Sequence, residues 1–244
     1  MSLVEDQELR APLSSWLSVV ELAEDEVLLP GQRIQKGKLY ASNVALQDAW
    51  LRSKGIECEV GACGDSFNAL ADTLGTMIKT ADVLITSGGA WKGDHDLVIH
   101  VLDSLEADVI FHRVRMGPGK AVGMCILEGK PVFCLPGGPP SNEMAFLQLA
   151  LPALMKMKGA SPTVFPLVSA GLAAAVTGEK GWTEFIHARL AGKKDNLTVL
   201  PARLKSRLKS MAEKEALIII PEDREEIPAG ETVEVQLLKP MPDY

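Results

Sequence analysis

Residues 82–96 read Asp-Val-Leu-Ile-Thr-Ser-Gly-Gly-Ala-Trp-Lys-Gly-Asp-His-Asp. The apolar run at Asp82–Thr86 is short and nearly unbroken, which predicts a strand covered on both faces of a sheet. The glycines after it predict a loop, and a helical pattern through Val98, Val101 and Leu102 follows. A buried strand, a Gly-rich loop and a helix in this order indicate an α/β protein, in which ligands bind at the carboxyl ends of the strands.

Strand-like and helix-like segments alternate on both sides of this stretch. The predicted strands are Trp16–Leu22, Glu57–Ala62, Asp82–Thr86, Val109–Val114, Val122–Leu127 and Val132–Leu135. Alternation of this kind predicts a doubly wound, mostly parallel sheet. A hairpin that turns at residues 128–130, between Ile126 and Pro131, is expected to add an antiparallel piece.

Polar residues ahead of the helical patterns predict where the helices begin. The predicted first residues or caps of three helices are Ser42 or Asn43, Asp65 or Ser66, and Ser141. The third of these helices is expected to run to about Lys158 and to bend at Pro152, because proline removes a helical hydrogen bond.

The pattern changes near Gly159, after which short strand-like runs are separated by turn residues. These runs are Val164–Val168, Leu172–Val176, Thr183–Arg189, Leu197–Leu200, Ala216–Ile220 and Thr232–Leu238. Only Ala202–Lys214 lacks this character. The pattern predicts a small all-β barrel or sandwich, so the expected domains are residues 12–158 and 160–244.

The composition excludes several classes of protein. Of the 244 residues 47% are hydrophobic, enough for a substantial core, and the net charge of −7 argues against a nucleic-acid partner. The longest apolar stretch, Ala145–Met157, is too short to cross a bilayer, so no membrane partner is expected. The four cysteines lack a metal-binding spacing, which indicates reduced thiols in a cytoplasmic protein.

The loop after Asp82–Thr86 carries the residues best suited to an anionic ligand. Gly88 and Gly89 lack a Cβ, so the backbone can approach an oxyanion closely, and Lys92 can pair with a phosphate. Asp94 and Asp96 are hard oxygen ligands that suit Mg²⁺ or the polar edge of a ring. The alternative is a plain turn in which one aspartate caps the next helix.

A second loop of the same kind, Leu135–Ser141, reads Leu-Pro-Gly-Gly-Pro-Pro-Ser and also leads from a strand to a helix. Its prolines stiffen the backbone, its glycines allow close approach, and Ser141 can cap the helix or donate to a phosphate. A rigid turn with a capped helix is the alternative here. A third segment, Met116–Lys120, places a lysine after a tight turn.

Taken in order, these loops resemble the molybdopterin-binding domain of the MoeA/gephyrin family. The matching segments are Ser87-Gly88-Gly89, Gly93-Asp94-His95-Asp96, Pro118-Gly119-Lys120 and Leu135–Ser141. Upstream, residues 24–26 and 37–43 resemble the first strand-end loop of that family, and downstream Gly181–Phe185 and Ile227–Glu231 resemble its C-terminal β-barrel. The resemblance implies a MogA-like α/β domain followed by a small barrel.

The resemblance also implies an activity and a set of site residues. The activity is molybdenumtransferase: molybdate is inserted, with Mg²⁺, into the dithiolene of adenylylated molybdopterin. Asp25, Asp94 and Asp96 are the implied catalytic acids, and Asp94 and Asp96 the implied metal ligands. The expected cofactor-binding residues are Ser87, Gly88, Gly89, Lys92, Gly93, Lys120, Pro136, Gly137, Gly138, Pro139 and Ser141.

The chain departs from the family pattern at Ala23, Trp91, Gly117, Gly138 and Trp182, where polar or cationic groups are usual. The resemblance also implies two further N-terminal domains that complete the active site, so the transferase activity is expected of a longer parent protein rather than of this chain alone. Two alternatives stay open: a non-catalytic carrier or sensor of molybdopterin or its cofactor, and a molybdopterin adenylyltransferase. The resemblance suggests a homodimer and, as partners, a pterin ligand and other proteins of molybdenum cofactor biosynthesis.

Overall fold

The computed structural model describes residues 17–22, 27–28, 31–64, 66–88, 97–160, 165–192, 196–202 and 207–239. The chain divides into two compact units, with breaks at 114/115, 120/121 and 161/162. Segment 115–120 thus belongs to the second unit together with the C-terminal part of the chain, whereas the sequence boundary near Gly159 assigns it to the first domain.

The described residues form sixteen strands, six α-helices and one π-helical turn. The strands are β1 Leu17–Leu22, β2 Val27–Leu28, β3 Leu39–Tyr40, β4 Cys58–Cys63, β5 Val83–Ser87, β6 Asp108–His112, β7 Met116–Gly117, β8 Gly123–Leu127, β9 Lys130–Leu135, β10 Leu167–Leu172, β11 Val176–Thr177, β12 Thr183–Ala191, β13 Thr198–Pro201, β14 Ala216–Ile220, β15 Glu226–Ile227 and β16 Thr232–Leu237. The helices are α1 Ser42–Ser53, α2 Phe67–Thr80, α3 Leu97–Ser104, α4 Pro139–Ala145, α5 Leu151–Met157 and α6 Arg207–Glu213.

The first unit is built on a six-stranded mixed sheet in the order β4-β1-β5-β9-β8-β6. The strands β4, β1, β5 and β9 run parallel, and β8 and β6 complete the sheet as antiparallel strands. The predicted hairpin is confirmed, because β8 and β9 pair from Gly123↔Cys134 to Leu127↔Lys130. Glu128 and Gly129 both have positive φ at its turn, as a two-residue hairpin loop of type I′ requires.

Helices α2 and α3 cover one face of this sheet with apolar stripes. Leu70, Leu74 and Ile78 of α2 are fully buried at helical spacing, as are Val98, Val101 and Leu102 of α3. All five residues of β5 are buried, so the strand predicted from its apolar run is indeed covered. Each such apolar side chain contributes about 1.5–3 kcal/mol on burial.

Two predicted helix caps are not used, although both helices begin within two residues of the predicted positions. Helix α1 begins at Ser42, but Ala41 occupies the cap position and neither Ser42 nor Asn43 caps the helix; the Asn43 side chain donates instead to the Ser87 Oγ. Helix α4 begins at Pro139 rather than at Ser141, since proline has a suitable φ and lacks an N–H that the first turn would leave unbonded. At α2 the prediction is confirmed for Ser66, whose Oγ accepts from the Ala69 N–H at 3.3 Å.

The irregularity expected at Pro152 takes the form of a π-helical turn, Phe146–Ala150, directly ahead of α5. Because Pro152 has no N–H to donate to the preceding turn, the helix widens there instead of continuing its regular ladder. The helical segment as a whole runs from Pro139 to Met157.

The second unit is a closed barrel of five strands. The order β13-β10-β16-β14-β12 is closed by pairing of β12 with β13, and β7 pairs in parallel with the first two residues of β12. One strand prediction is wrong: Leu172–Val176 is not a continuous strand, because Leu172 ends β10 and Val176 begins the two-residue β11. The segment Ala202–Lys214, which lacks the strand pattern in the sequence, contains the helix α6 at Arg207–Glu213. No helix among the described residues is long and apolar enough to cross a membrane.

Candidate functional site

The two predicted loops leave neighbouring strands at the same edge of the first unit's sheet. Strands β5 and β9 are parallel, with Ser87 opposite Leu135, and the Gly88 N–H donates to the Leu135 carbonyl at 3.1 Å. Both loops therefore start side by side at the carboxyl ends of their strands, where α/β proteins bind ligands. The structure thus excludes an arrangement in which the two loops start at opposite edges of the sheet.

Glycines let the two loops approach each other. Gly88 has a φ of 96°, a conformation that other residues rarely adopt, and a Cβ added to Gly137 would lie 3.4 Å from the Gly88 Cα. A Cβ on Gly138 would meet no atom within 4 Å, and both Gly137 and Gly138 are exposed. The outer side of this loop therefore offers bare, accessible main chain.

A buried amide network ties the loops to two helices. Asn43 of α1 donates from Nδ2 to the Ser87 Oγ at 3.1 Å and to the Gly137 carbonyl at 2.9 Å. Asn142 of α4 donates from Nδ2 to the same Ser87 Oγ at 3.0 Å and to the Pro136 carbonyl at 2.9 Å. Each amide thus uses both of its N–H groups to hold one residue of each loop.

Gln47 extends the network by donating from Nε2 to the Asn142 Oδ1 at 2.7 Å. It lies one helical turn after Asn43, so the two side chains share a face of α1. Asn43, Gln47, Ser87 and Asn142 are all buried. The network therefore fixes the positions of the two loops from the protein side, and leaves the exposed side of the 137–138 turn accessible.

Two buried polar atoms near this network, Thr86 Oγ1 and Gln47 Oε1, have no hydrogen-bond partner within the described ranges. Thr86 directly precedes Ser87 at the end of β5, and its side chain is fully buried. Such groups are uncommon in protein interiors. Thr86 and Ser87 thus make the end of β5 polar although both residues are fully buried.

The structure brings together part of the predicted site. Ser87, Gly88, Pro136 and Gly137 are linked by the contacts above, and Gly138, Pro139 and Ser141 follow in the same loop and the first turn of α4. The remaining first-unit predictions, which lie outside the described residues, are Asp25, Gly89, Lys92, Gly93, Asp94 and Asp96. In the described ranges, no three His, Cys, Asp or Glu side chains come together in a group that could hold a metal ion.

Lys120 belongs to the second unit, where its Nζ lies 5.7 Å from the centre of the Trp182 ring. The same segment places Gly117 against Glu184: β7 pairs with the start of β12, and a Cβ on Gly117 would collide with the Glu184 carboxylate. Burial, and to a lesser degree the charge of Glu179, raises the pKa of Glu184. Gly117 therefore lies beside Glu184, and Trp182 lies beside Lys120.

Sequence reasoning missed Gln47 and Asn142 and misassigned Asn43. The available signal was positional: Asn43 and Gln47 share a helical face, and Asn142 directly follows the second loop. Capping of the two helices would not require three amide side chains beside the two Gly-rich loops. Only the pairing of β5 with β9, however, shows that Asn43 and Asn142 meet at the Ser87 hydroxyl.

The fold and the site define a class: an α/β ligand-binding domain, with paired Gly/Pro-rich loops at its strand ends, joined to a five-stranded β-barrel. Residues 24–156 match the family described as "Probable molybdopterin binding domain", and residues 169–238 match the "MoeA C-terminal region (domain IV)". The chain belongs to the MoeA family.

Relatives and solved structures agree with this family. The chain is 30% identical over 216 residues to molybdopterin molybdenumtransferase 2 of Mycobacterium tuberculosis, covering 86% of this chain and 53% of that one. It is 25% identical to molybdopterin molybdenumtransferase of Staphylococcus aureus, covering 87% and 51%. The crystal structure of a molybdopterin biosynthesis MoeA protein from Pyrococcus horikoshii superposes with a TM-score of 0.77 at 28% identity, covering 93% and 55%. The chain thus spans about half the length of the curated relatives it matches.

Proposed function

We propose that this chain binds molybdopterin or its adenylylated form and takes part in molybdenum cofactor biosynthesis. The observation that carries the proposal is the convergence of Ser87–Gly88 and Pro136–Ser141 at the carboxyl ends of two adjacent parallel strands. This is the edge at which open α/β sheets receive ligands, and the matched family is described by the same ligand.

The proposal assigns the phosphate ester of molybdopterin to the exposed turn at Gly137 and Gly138. Without side chains, these residues let an anion reach main-chain N–H groups, and no Cβ occupies the space at Gly138. The buried network from Asn43 and Asn142 holds the turn in place before the ligand arrives. A pre-positioned turn loses less entropy on binding than a mobile one.

The other predicted residues complete the proposed site. Lys92 would supply a cation to the phosphate, and Asp25, Asp94 and Asp96 would supply the carboxylates that suit Mg²⁺ and the nucleotide. Carboxylates around a divalent cation, with main-chain donors and a lysine for the phosphate, form a donor set that fits adenylylated molybdopterin. Molybdate insertion into that ligand is the proposed reaction, in line with the names of the relatives.

A non-catalytic carrier or sensor is the second candidate, and one observation favours it. Gly117 and Trp182 stand where the family pattern has a lysine and an arginine; in the second unit Gly117 lies beside Glu184, and Trp182 lies beside Lys120. The absence of these two cationic side chains, together with the Glu184 carboxylate beside Gly117, weakens the attraction of this region for a dianion such as molybdate. A chain of this kind would hold the pterin without inserting the metal.

Titration of the purified chain with molybdopterin under anaerobic conditions tests the binding proposal. We expect saturation at tens of micromolar and at least tenfold weaker binding of the dephosphorylated pterin. Gly138→Asp adds a negative charge where a Cβ has free space, so it should weaken phosphate-dependent binding by about tenfold or more. Gly64→Asp makes the same change at another open, unstrained glycine and should leave the affinity unchanged.

Absence of saturable binding, or equal binding by Gly138→Asp and wild type, would contradict the proposal. Three activity assays then separate the candidate functions. Molybdate insertion into adenylylated molybdopterin identifies a transferase, and tight binding without insertion identifies a carrier or sensor. ATP-dependent adenylylation of molybdopterin identifies an adenylyltransferase.

A further inference from the structure

The loop that leads into α1, residues 31–40, is held by hydrogen bonds at its base and across its middle. Strands β2 and β3 pair in parallel at the base, and the Ala41 N–H donates to the Leu28 carbonyl at 2.8 Å. The Tyr40 hydroxyl donates to the Gln32 carbonyl, also at 2.8 Å. We call residues 31–40 the basic loop, and these bonds give it a defined surface.

Three apolar side chains of the basic loop are exposed. Leu39 is 69% exposed, Ile34 54% and Tyr40 47%, and Leu39 is the most exposed large apolar side chain within the described ranges. Scattered exposed apolar residues are normal at protein surfaces, whereas three within seven consecutive residues are typical of a surface that contacts a partner. The apolar part of the loop is therefore suited to a contact.

The charges of the basic loop are all positive. Its charged residues are Arg33, Lys36 and Lys38, and it holds no carboxylate, although the net charge of the chain is −7. Among the residues that the structure describes, no carboxylate forms an ion pair with any of these three cations. Cations beside apolar side chains complement a peptide that carries both carboxylates and apolar residues. A small inorganic anion would leave the apolar side chains uncovered.

We propose that the basic loop is the docking surface for residues 4–9 of the same chain, Val-Glu-Asp-Gln-Glu-Leu, which we call the acidic segment. The acidic segment lies outside the described residues. It carries three carboxylates and no cation, with an apolar residue at each end, Val4 and Leu9. Its carboxylates match the three cations of the loop in number and sign, and its two apolar ends can cover the exposed apolar side chains.

The chain is long enough for this contact. Asn43, three residues after the basic loop, bonds to Ser87 at the end of β5, so the loop enters α1 at the carboxyl edge of the sheet. Strand β1 is parallel to β5 and begins at the opposite edge with Leu17; its six residues span about 20 Å. The seven residues between Leu9 and Leu17 can span about 25 Å when extended. The acidic segment can therefore reach the carboxyl edge.

Zero-length cross-linking of the full chain tests the inference. A carbodiimide joins a carboxylate to a lysine where the two are in contact, and peptide mass spectrometry then identifies the joined residues. We expect carboxylates of the acidic segment to be joined to Lys36 and Lys38 within monomeric protein. The yield should fall at least about fivefold in about 0.5 M salt, because salt screens exposed charges.

Lys79 is the matched control for a contact caused by tethering alone. It is exposed near the end of α2, four residues before Val83, and Val83 is the partner of Leu17 in the sheet. Lys79 is thus close to the point where the residues after the acidic segment enter β1. Random motion of a tethered segment would favour Lys79, whereas docking favours Lys36 and Lys38.

Two variants of the basic loop keep both reporter lysines. Leu39→Ser removes an apolar contact, and Arg33→Glu reverses one charge; each should lower the yield at Lys36 and Lys38 by at least about threefold. Both side chains are exposed, so the fold should tolerate the changes. Leu208→Ser changes another exposed leucine, 56% exposed, and should leave the yield as in the wild type.

Four results overturn the inference. They are a yield at Lys79 equal to that at the basic loop, yields unchanged in both loop variants, products found only between two copies of the chain, and absence of any product with the loop. Co-sedimentation of the wild type, but not of Leu39→Ser, with vesicles of phosphatidylcholine and phosphatidylserine would make a lipid surface the occupant and also overturn it. The inference goes beyond the proposed function, and none of these measurements contains a pterin, so either can fail without the other.

Discussion

The Ser87 hydroxyl oxygen accepts two buried hydrogen bonds, one of them from the Asn142 amide at 3.0 Å, although Asn142 lies 55 residues further along the chain. The second comes from Asn43. Ser87 is the last residue of β5, and so it acts as the point at which both loops and two helices are joined. The Ser87 hydroxyl therefore has a structural role in this fold, and its contact with the cofactor stays a prediction.

Replacement of Ser87 by alanine should therefore destabilise the first unit. Each of Asn43 and Asn142 would keep one hydrogen bond and lose the other, leaving two buried N–H groups without a partner. We expect a loss of about 2–3 kcal/mol in the free energy of unfolding. Urea denaturation measures it, with Ser53→Ala as control, because that exposed hydroxyl donates to the Trp50 carbonyl of its own helix.

A Ser87→Ala variant as stable as wild type would show that the two amides find other partners. In that case the loops are not held by this network. The Ser53→Ala control should change the unfolding free energy by no more than about 0.5 kcal/mol.

The order of elements in the first unit could be predicted from sequence, because the signals for it are local. Strand β5 is an unbroken apolar run, the spacing of Leu70, Leu74 and Ile78 marks α2, and Glu128-Gly129 suits a two-residue turn. The signal for the start of α4 is equally local, but the polar Ser141 leads to a predicted start two residues too late. The preceding proline has the stronger preference for a first helical turn.

The contacts that shape the site could not be predicted in the same way. Asn43 and Asn142 meet at Ser87 only because β5 lies beside β9, and the sequence does not give strand order. Likewise, the pairing of Met116–Gly117 with β12 joins residues about 67 positions apart, so the contact of Lys120 with Trp182 could not be predicted. The phosphate contact expected of Lys120 stays a prediction. Such pairings depend on the whole chain, whereas periodicity and turn residues act over a few positions.

Stability of the second unit should depend on pH through Glu184. Burial raises the pKa of this carboxyl above its ordinary value, so the folded protein binds its proton more tightly than the unfolded chain does. Between the ordinary and the raised pKa the unfolding free energy must therefore fall as the pH rises. Glu184→Gln should abolish this decline in urea titrations at successive pH values. A decline that persists in the variant contradicts the assignment to Glu184.

A methyl group at position 117 should move Glu184 without unfolding the barrel. Gly117 has no positive φ, so alanine suits its backbone, but the new Cβ would collide with the carboxylate. That carboxylate is the end of a flexible side chain and can turn towards solvent, at a cost of about 1 kcal/mol or less. We expect the pKa of Glu184 in Gly117→Ala to return towards its ordinary value, as measured by NMR titration. A loss of several kcal/mol would show instead that Glu184 cannot move.

Cys58 should resist thiol reagents at neutral pH. Burial, reinforced by its hydrogen bond to Asp48 at 3.2 Å, raises the pKa of Cys58 to about 12, so almost no reactive thiolate forms. We expect alkylation by iodoacetamide at pH 8, followed by peptide mass spectrometry, to be at least about a hundredfold slower than for an exposed thiol.

Two variants test the cause of the low reactivity of Cys58. Asp48→Asn removes a neighbouring negative charge and should speed the reaction. Arg52→Gln removes a charge that favours the thiolate, so it should slow the reaction further. Acceleration in both variants would mean that each exposes the sulfur, and that access rather than charge controls its reactivity.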